Sequence, residues 1–304
     1  MIHDRMMKDT IPFRSMQHMK KPLIHLITNY VTVNDVVNII LSCGGSAICA
    51  DAPEEVEEIT GIADSLVLNI GTPSKSRFEA MLKAGRVANQ RNIPVVLDPV
   101  GAGASRFRDE FLKKLLSEVK ITCIRGNYTE ITALARLISE NNSETETGQM
   151  SSAKTAGGQS LVQETNSNFR NADTALNTGG VDSRDISLDT AKNAAKSLAL
   201  VTKSVVVTTG STDFVTDGKK SREWSNNGSY MQRLITGSGC MLSGLLGLEL
   251  AKNPEEALDT VTHCVNLYGT AAHEAEEQMN SRNLYGTATF RQYLIDVTGL
   301  TFNN

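Results

Sequence analysis

The sequence predicts an α/β fold in which a mostly parallel central sheet is covered by helices on both faces. Three observations carry that expectation. Short apolar runs alternate with segments of helical period along most of the chain, the order that builds parallel strands joined by crossover helices. The helical segments are amphipathic, as in 33–42, where Val36, Val37, Ile40 and Leu41 share a face. With 304 residues and 40% hydrophobic composition, the chain has ample material for a large core, and it is read as a single domain over 1–304.

The elements follow in order. A strand over 23–28 precedes the helix over 33–42, and a short strand over 46–50 leads to a helix over 53–63. Pro53 opens that helix and acidic residues fill its first turn. Strands at 65–70, 93–98 and 121–125 then alternate with helices at 75–92, 106–119 and 128–140. Residues 141–187 break the pattern, because Ser, Thr, Asn, Gln and Gly dominate and no period holds. Such a segment cannot bury enough to offset its ordering entropy, and it reads as a mobile surface insertion. A helix over 188–201 and a strand over 204–209 resume the alternation. Residues 214–216 and 223–225 make a small hairpin around Asp217-Gly218. A glycine-rich stretch over 236–244 runs into an apolar helical segment over 245–251. Two or three helices finish the chain, one of them from about 254 to 279. Residues 1–20 form an N-terminal extension of mixed charges and methionines, without the apolar core of a signal peptide.

Composition excludes several classes. A net charge of −4 and an isoelectric point near 5.8 give no attraction for nucleic acid or membrane surfaces. Aromatic content of 5% argues against a stacking platform for single strands. The five cysteines are odd in number and lack CxxC spacing, which fits reduced thiols better than disulfides or a zinc site. No apolar run reaches membrane-spanning length. A soluble, cytoplasmic protein with no nucleic-acid or membrane partner is expected.

Ligands of open α/β sheets bind beyond the carboxyl ends of the strands, so polar residues there carry the most weight. Asn29 ends the first strand, where it could bond a substrate or cap the next helix. Cys49 ends the second and could line a small apolar pocket or simply fill the core. Asp98 follows the buried run 95–97, an expensive place for a carboxylate unless a metal or partner meets it. Arg125 closes a strand with a fork suited to phosphate oxygens. Glu130 stands three residues after Asn127, either as a capping-box acid or as a second acidic contact to the waters of Mg²⁺. The Thr209 hydroxyl, again at a strand end, could touch a polyphosphate. In Thr236-Gly237-Ser238-Gly239-Cys240, small residues at a helix start suit an anion, and the same field would favour a thiolate at Cys240 or stabilise charge developing on a neighbouring oxygen; the plain alternative is a glycine-rich turn with a buried cysteine. The set matches phosphoryl transfer, where catalysis is mostly positioning and charge neutralisation. No Walker or GxGxxG motif is present, and the five histidines lack any catalytic context.

At these residues the chain resembles the hydroxyethylthiazole kinases of the ribokinase-like superfamily. The matching segments are ITNYVTVND (27–35), APEEVEE (52–58), LVLNIGT (66–72), VVLDPVGAG (95–103), IRGNYTEI (124–131), VVVTTG (205–210) and ITGSGCMLSG (235–244). They occur in family order and cover most of the chain outside 1–20 and 141–187. The resemblance implies a ribokinase-like fold and transfer of the ATP γ-phosphoryl group to the primary hydroxyl of 4-methyl-5-(2-hydroxyethyl)thiazole, a thiamine-salvage step requiring Mg²⁺. It also implies a homotrimer with the thiazole site at the subunit interface. Carried over by position, Asn29, Cys49 and Gly237 match substrate contacts, Arg125 and Thr209 match ATP contacts, and Asp98 with Glu130 match the acidic metal surround. Cys240 takes the catalytic position, where related enzymes carry an aspartate as general base. Cys49 stands where the family usually has methionine, and the 141–187 segment is longer than the family implies. The alternatives are a related kinase or hydrate dehydratase acting on another small molecule, or a non-catalytic thiazole or nucleotide binder.

Overall fold

The protein is described by a computed structural model covering residues 21–149, 186–225 and 227–303. Eight strands form one sheet. They are β1 (Leu23–Ile27), β2 (Ser46–Cys49), β3 (Ser65–Asn69), β4 (Val95–Asp98), β5 (Cys123–Asn127), β6 (Val205–Thr209), β7 (Thr212–Thr216) and β8 (Ser221–Ser225). The spatial order is β2-β1-β3-β4-β5-β6-β7-β8. The first six are mutually parallel, while β7 and β8 are antiparallel additions that form the hairpin expected around Asp217-Gly218.

Strand alternation distributes the core between two layers. Leu66 and Leu68 of β3 face one side with Val95 and Leu97 of β4, whereas Val67 and Val96 face the other. The first side is covered by α2 (Val56–Ile62), α3 (Lys75–Gln90), α4 (Arg106–Glu118), α5 (Tyr128–Gln149) and α6 (Leu188–Thr202). The second is covered by α1 (Val33–Ser42), α7 (Ser238–Lys252), α8 (Ala257–Ser281) and α9 (Thr287–Phe302). Helix α7 is apolar nearly all round and lies in the middle of its layer, the placement such a helix requires. Its glycines bring it close to the sheet: a Cβ at Gly247 would fall 2.5 Å from a Val67 methyl. That close seat aims the N-terminus of α7 at the carboxyl ends of the central strands.

Two sequence expectations change. Helix α2 begins at Val56 rather than at Pro53, because the Ala52 carbonyl first takes the N–H groups of Glu55 and Val56 in a turn. Val56, fully buried, is the first residue held by the core. Helix α5 continues through Gln149, so the first nine residues expected in the surface insertion are helical. A helix nucleated by the buried Ile131, Leu134 and Ala135 extends readily into a Glu- and Gln-containing stretch. Ser187, the last residue of that segment, caps α6 through its hydroxyl, which accepts from the Thr190 N–H at 3.2 Å. The remainder of the insertion, 150–185, and the extension over 1–20 lie outside the described residues. His25 is buried between the Thr60 hydroxyl and the Ala50 carbonyl, each at 2.9 Å, which makes it a core histidine. Among the described residues no helix is long and apolar enough to cross a membrane.

Candidate active site

Five strand ends and one helix start converge at the carboxyl edge of the sheet. Gly237 caps α7 with φ +91°, and a Cβ there would meet Thr32 at 2.7 Å, so only glycine suits the position. Helix geometry leaves the N–H groups of Ser238, Gly239 and Cys240 without intrahelical acceptors. The guanidinium of Arg125, from β5, lies directly against Gly239, where a Cβ would fall 2.1 Å from Nη1. Arg125 also donates to the Thr209 hydroxyl on β6 at 2.5 Å. Arginine, hydroxyl and helix dipole thus surround one space that favours negative charge.

That space opens into a cleft of about 910 Å³, lined among others by Arg125, Thr209, Asp213, Asn227, Gly239 and Tyr268. Asp213 of β7 accepts from the Gly210 N–H at 3.2 Å. Burial pushes its carboxyl up to about 6, against the pull of that hydrogen bond and of Arg125.

Behind the anion space, Asp98 ends β4 with no exposure to solvent. Its Oδ2 accepts from Asn69 Nδ2 and from the Ser243 hydroxyl, both at 2.9 Å, and stands 4.0 Å from Arg125. Its Oδ1 is buried without a partner. Burial lifts this carboxyl to about 6, outweighing the opposing charge of Arg125, while Glu130 pushes the same way as burial. Glu130 itself accepts from the Gly101 N–H at 3.0 Å and the Asn127 N–H at 2.9 Å. Asn127 Oδ1 returns the contact by accepting from the Glu130 N–H at 2.9 Å, a reciprocal capping box at the start of α5. Both carboxylate oxygens of Glu130 therefore already hold backbone donors.

Cys240, half-buried in the first turn of α7, accepts through Sγ from Asn69 Nδ2 at 3.2 Å and Asn29 Nδ2 at 3.4 Å. Of the two roles a helix start offers Cys240, the thiolate is not favoured. Burial and then the charge of Asp98 push the thiol up to about 11, against the helping contacts of Thr32, Arg125 and Asn69. Near neutral pH Cys240 is a thiol. Asn29 is held by the Thr32 N–H, which donates to its Oδ1 at 3.1 Å. Cys49 ends the edge strand β2 and is exposed, neither walled into a pocket nor packed in the core.

The structure thus brings Asn29, Asp98, Arg125, Thr209, Gly237 and Cys240 to one place, with Glu130 beside them in the first turn of α5, bonded to the loop after β4. Cys49 shares the sheet end but faces outward. Sequence reasoning passed over Asn69, Ser243 and Asp213. Asn69 carried a usable signal, since it closes the apolar run 66–68 just as Asp98 closes 95–97. Ser243 and Asp213 carried none, one lying inside a helix and the other in a short hairpin strand.

Comparison with known proteins gives the family and the fold. The model of the hydroxyethylthiazole kinase family matches residues 15–167 and 164–301. A hydroxyethylthiazole kinase of Clostridium acetobutylicum is 38% identical, over 90% of this chain and 88% of the relative. One of Methanobrevibacter smithii is 37% identical, over 91% of this chain and 86% of its own. Among solved structures, the hydroxyethylthiazole kinase protein of Pyrococcus horikoshii OT3 superposes with a TM-score of 0.69 at 30% identity, covering 92% of this chain and 88% of that one. A ribokinase-like superfamily protein of Enterococcus faecalis V583, at 10% identity, shares the fold with a TM-score of 0.54, covering 92% and 87%. The chain belongs to the hydroxyethylthiazole kinase family and has the ribokinase-like fold.

Proposed function

We propose that the chain transfers the γ-phosphoryl group of ATP to the primary hydroxyl of 4-methyl-5-(2-hydroxyethyl)thiazole, the salvage reaction of thiamine synthesis. The observation that carries the proposal is the joint aim of Arg125, Thr209 and the α7 N-terminus at one anion space beside Cys240. ATP occupies the cleft with its phosphates toward Arg125 and Thr209. The alcohol lies on the other side of Cys240, near Asn29, Gly237 and Cys49. Its oxygen attacks the γ-phosphorus as the bond to ADP breaks, and its proton passes late to an oxygen of the transferring phosphoryl group, as suits a loose transition state. Cys240, protonated near neutral pH, orients the hydroxyl rather than abstracting its proton.

The donor set fits Mg²⁺. Asp98 offers a buried Oδ1 without a partner among the described residues, and each Glu130 oxygen, holding one backbone N–H, keeps acceptor capacity for a water of the ion, whose other ligands would be phosphates and water. When bound, the ion supplies positive charge against the transferring group.

The reading extends to a cytoplasmic homotrimer. All five cysteines are free, as suits a reducing compartment. Tyr30 and Val31, just beyond Asn29, are 73% and 61% exposed, an apolar pair that a neighbouring subunit would cover.

The test follows ADP release with ATP, Mg²⁺ and hydroxyethylthiazole. Release that needs the alcohol, stops with EDTA and falls at least ~100-fold in Arg125→Ala is expected. Alcohol-independent release, or an unaffected Arg125→Ala chain, refutes the proposal.

A further inference from the structure

The amide of Asn69 joins two groups that the transfer reaction needs. Its Oδ1 accepts from the Gly71 N–H at 2.9 Å, and a backbone N–H can only donate, so the orientation of the amide is fixed. Nδ2 therefore faces Asp98 Oδ2 at 2.9 Å and Cys240 Sγ at 3.2 Å. Asn29 is fixed the same way by the Thr32 N–H, which leaves its Nδ2 for Asn69 Oδ1 at 3.0 Å and Cys240 Sγ at 3.4 Å. Two amides whose orientations other bonds have settled thus aim N–H groups at one sulfur. A sulfur so placed is an acceptor, and its own S–H must point away from both amides. Asn69 is 1% exposed and lies behind Cys240, without a face on the nucleotide cleft.

We infer that Asn69 is a positioning residue of the transfer reaction: it couples Cys240 to Asp98 and, with Asn29, forms a two-amide cradle for whatever polar atom stands at position 240. The inference deepens the phosphotransferase reading and rests on it. Asn69 touches neither substrate. It acts by fixing where the Cys240 side chain lies relative to the carboxylate, and therefore which way the thiol can present itself to the alcohol. An asparagine that merely filled the core would be satisfied by Gly71 and Asp98 alone; the second N–H is committed to sulfur.

A double-mutant cycle on the full-length chain tests this. Asn69→Leu keeps the size and removes both donors, with Asn69→Ser as a second variant should the first fail to fold. Either should lower kcat ~10-fold, a small misplacement that costs no more than losing the Cys240 side chain itself, with the KM for ATP within ~3-fold of wild type. In a Cys240→Ala background, removing Asn69 should cost less than ~3-fold more, because the residue through which it acts is already gone. Losses that multiply in the double variant, or a change confined to KM, overturn the inference. A wild-type chain that turns over while the two residues act independently leaves the transfer reading intact. A wild-type chain without turnover refutes both.

Discussion

On the side of Cys240 proposed for the nucleotide, the described residues of one chain line the cleft. Arg125, Thr209, Asp213 and the α7 N-terminus come from four elements and border a cleft of about 910 Å³. On the alcohol side the same chain leaves off: Cys49 ends an edge strand in solvent, and Tyr30 and Val31 stand exposed beyond Asn29. The difference follows from charge. Burying Asp98 and Arg125 is tolerable only with fixed partners on the same chain, whereas in the proposed trimer the thiazole ring would take its apolar walls from a neighbouring subunit. Substitutions on the two sides should therefore differ in kind, with large losses of kcat on the first and modest shifts of KM on the second.

The largest effect is expected at Asp98. Asp98→Asn should lower kcat ~10³-fold by removing the buried charge that opposes Arg125. The same variant should be more stable than wild type at pH 8. The Asp98 carboxyl is lifted to about 6 by burial and by Glu130, against Arg125, so the folded chain holds its proton more tightly than the unfolded chain. Its contribution favours folding at low pH and is lost as pH rises through about 6. Thermal melts should therefore show a Tm gap in favour of Asp98→Asn that opens between about pH 4 and about pH 6, stays open at higher pH and closes in acid. A gap of the opposite sign would mean that Arg125 outweighs burial.

Cys240 comes next. Cys240→Ala should lose ~10- to 100-fold in kcat, while Cys240→Asp stays active because the amides of Asn29 and Asn69 can hold a carboxylate as well as a sulfur. Steady-state kinetics decide, and an unchanged kcat in Cys240→Ala would remove this residue from the mechanism. The smallest effect belongs to the open side. Cys49→Met should lower the KM for the thiazole less than ~10-fold, the scale of added apolar contact in a pocket, with the KM for ATP unchanged. A shift in the ATP KM instead would break the division between the two sides.

Much of the first side was legible in the sequence. Asp98 and Thr209 each close an apolar strand, and strand order alone sends such residues to the ligand edge of a parallel sheet; Arg125, expected to close its strand, lies two residues before the end of β5, which runs on to Asn127. The same rule reaches Asn69, whose amide looks unremarkable until a second strand and a helix place an acid and a sulfur beside it. Ser243 could not be found this way. It sits inside α7, and only the close seat of that helix on β3 and β4 turns its hydroxyl onto Asp98. The state of the Cys240 thiol was likewise beyond sequence, because the helix start argues for a thiolate and only three-dimensional burial reverses it. In the fold, the alternation gave the strands and helices to within a few residues. The ends of α2 and α5 moved because a backbone turn and the momentum of a nucleated helix decide termini that composition does not.

The most direct measurement uses ATP labelled with ¹⁸O on the non-bridging oxygens of its γ-phosphoryl group, together with hydroxyethylthiazole, and weighs the product by mass spectrometry. Transfer at this site predicts hydroxyethylthiazole monophosphate carrying the full label. Labelled inorganic phosphate with no phosphorylated alcohol would contradict it, and would make the chain a nucleotide hydrolase with a thiazole kinase's fold.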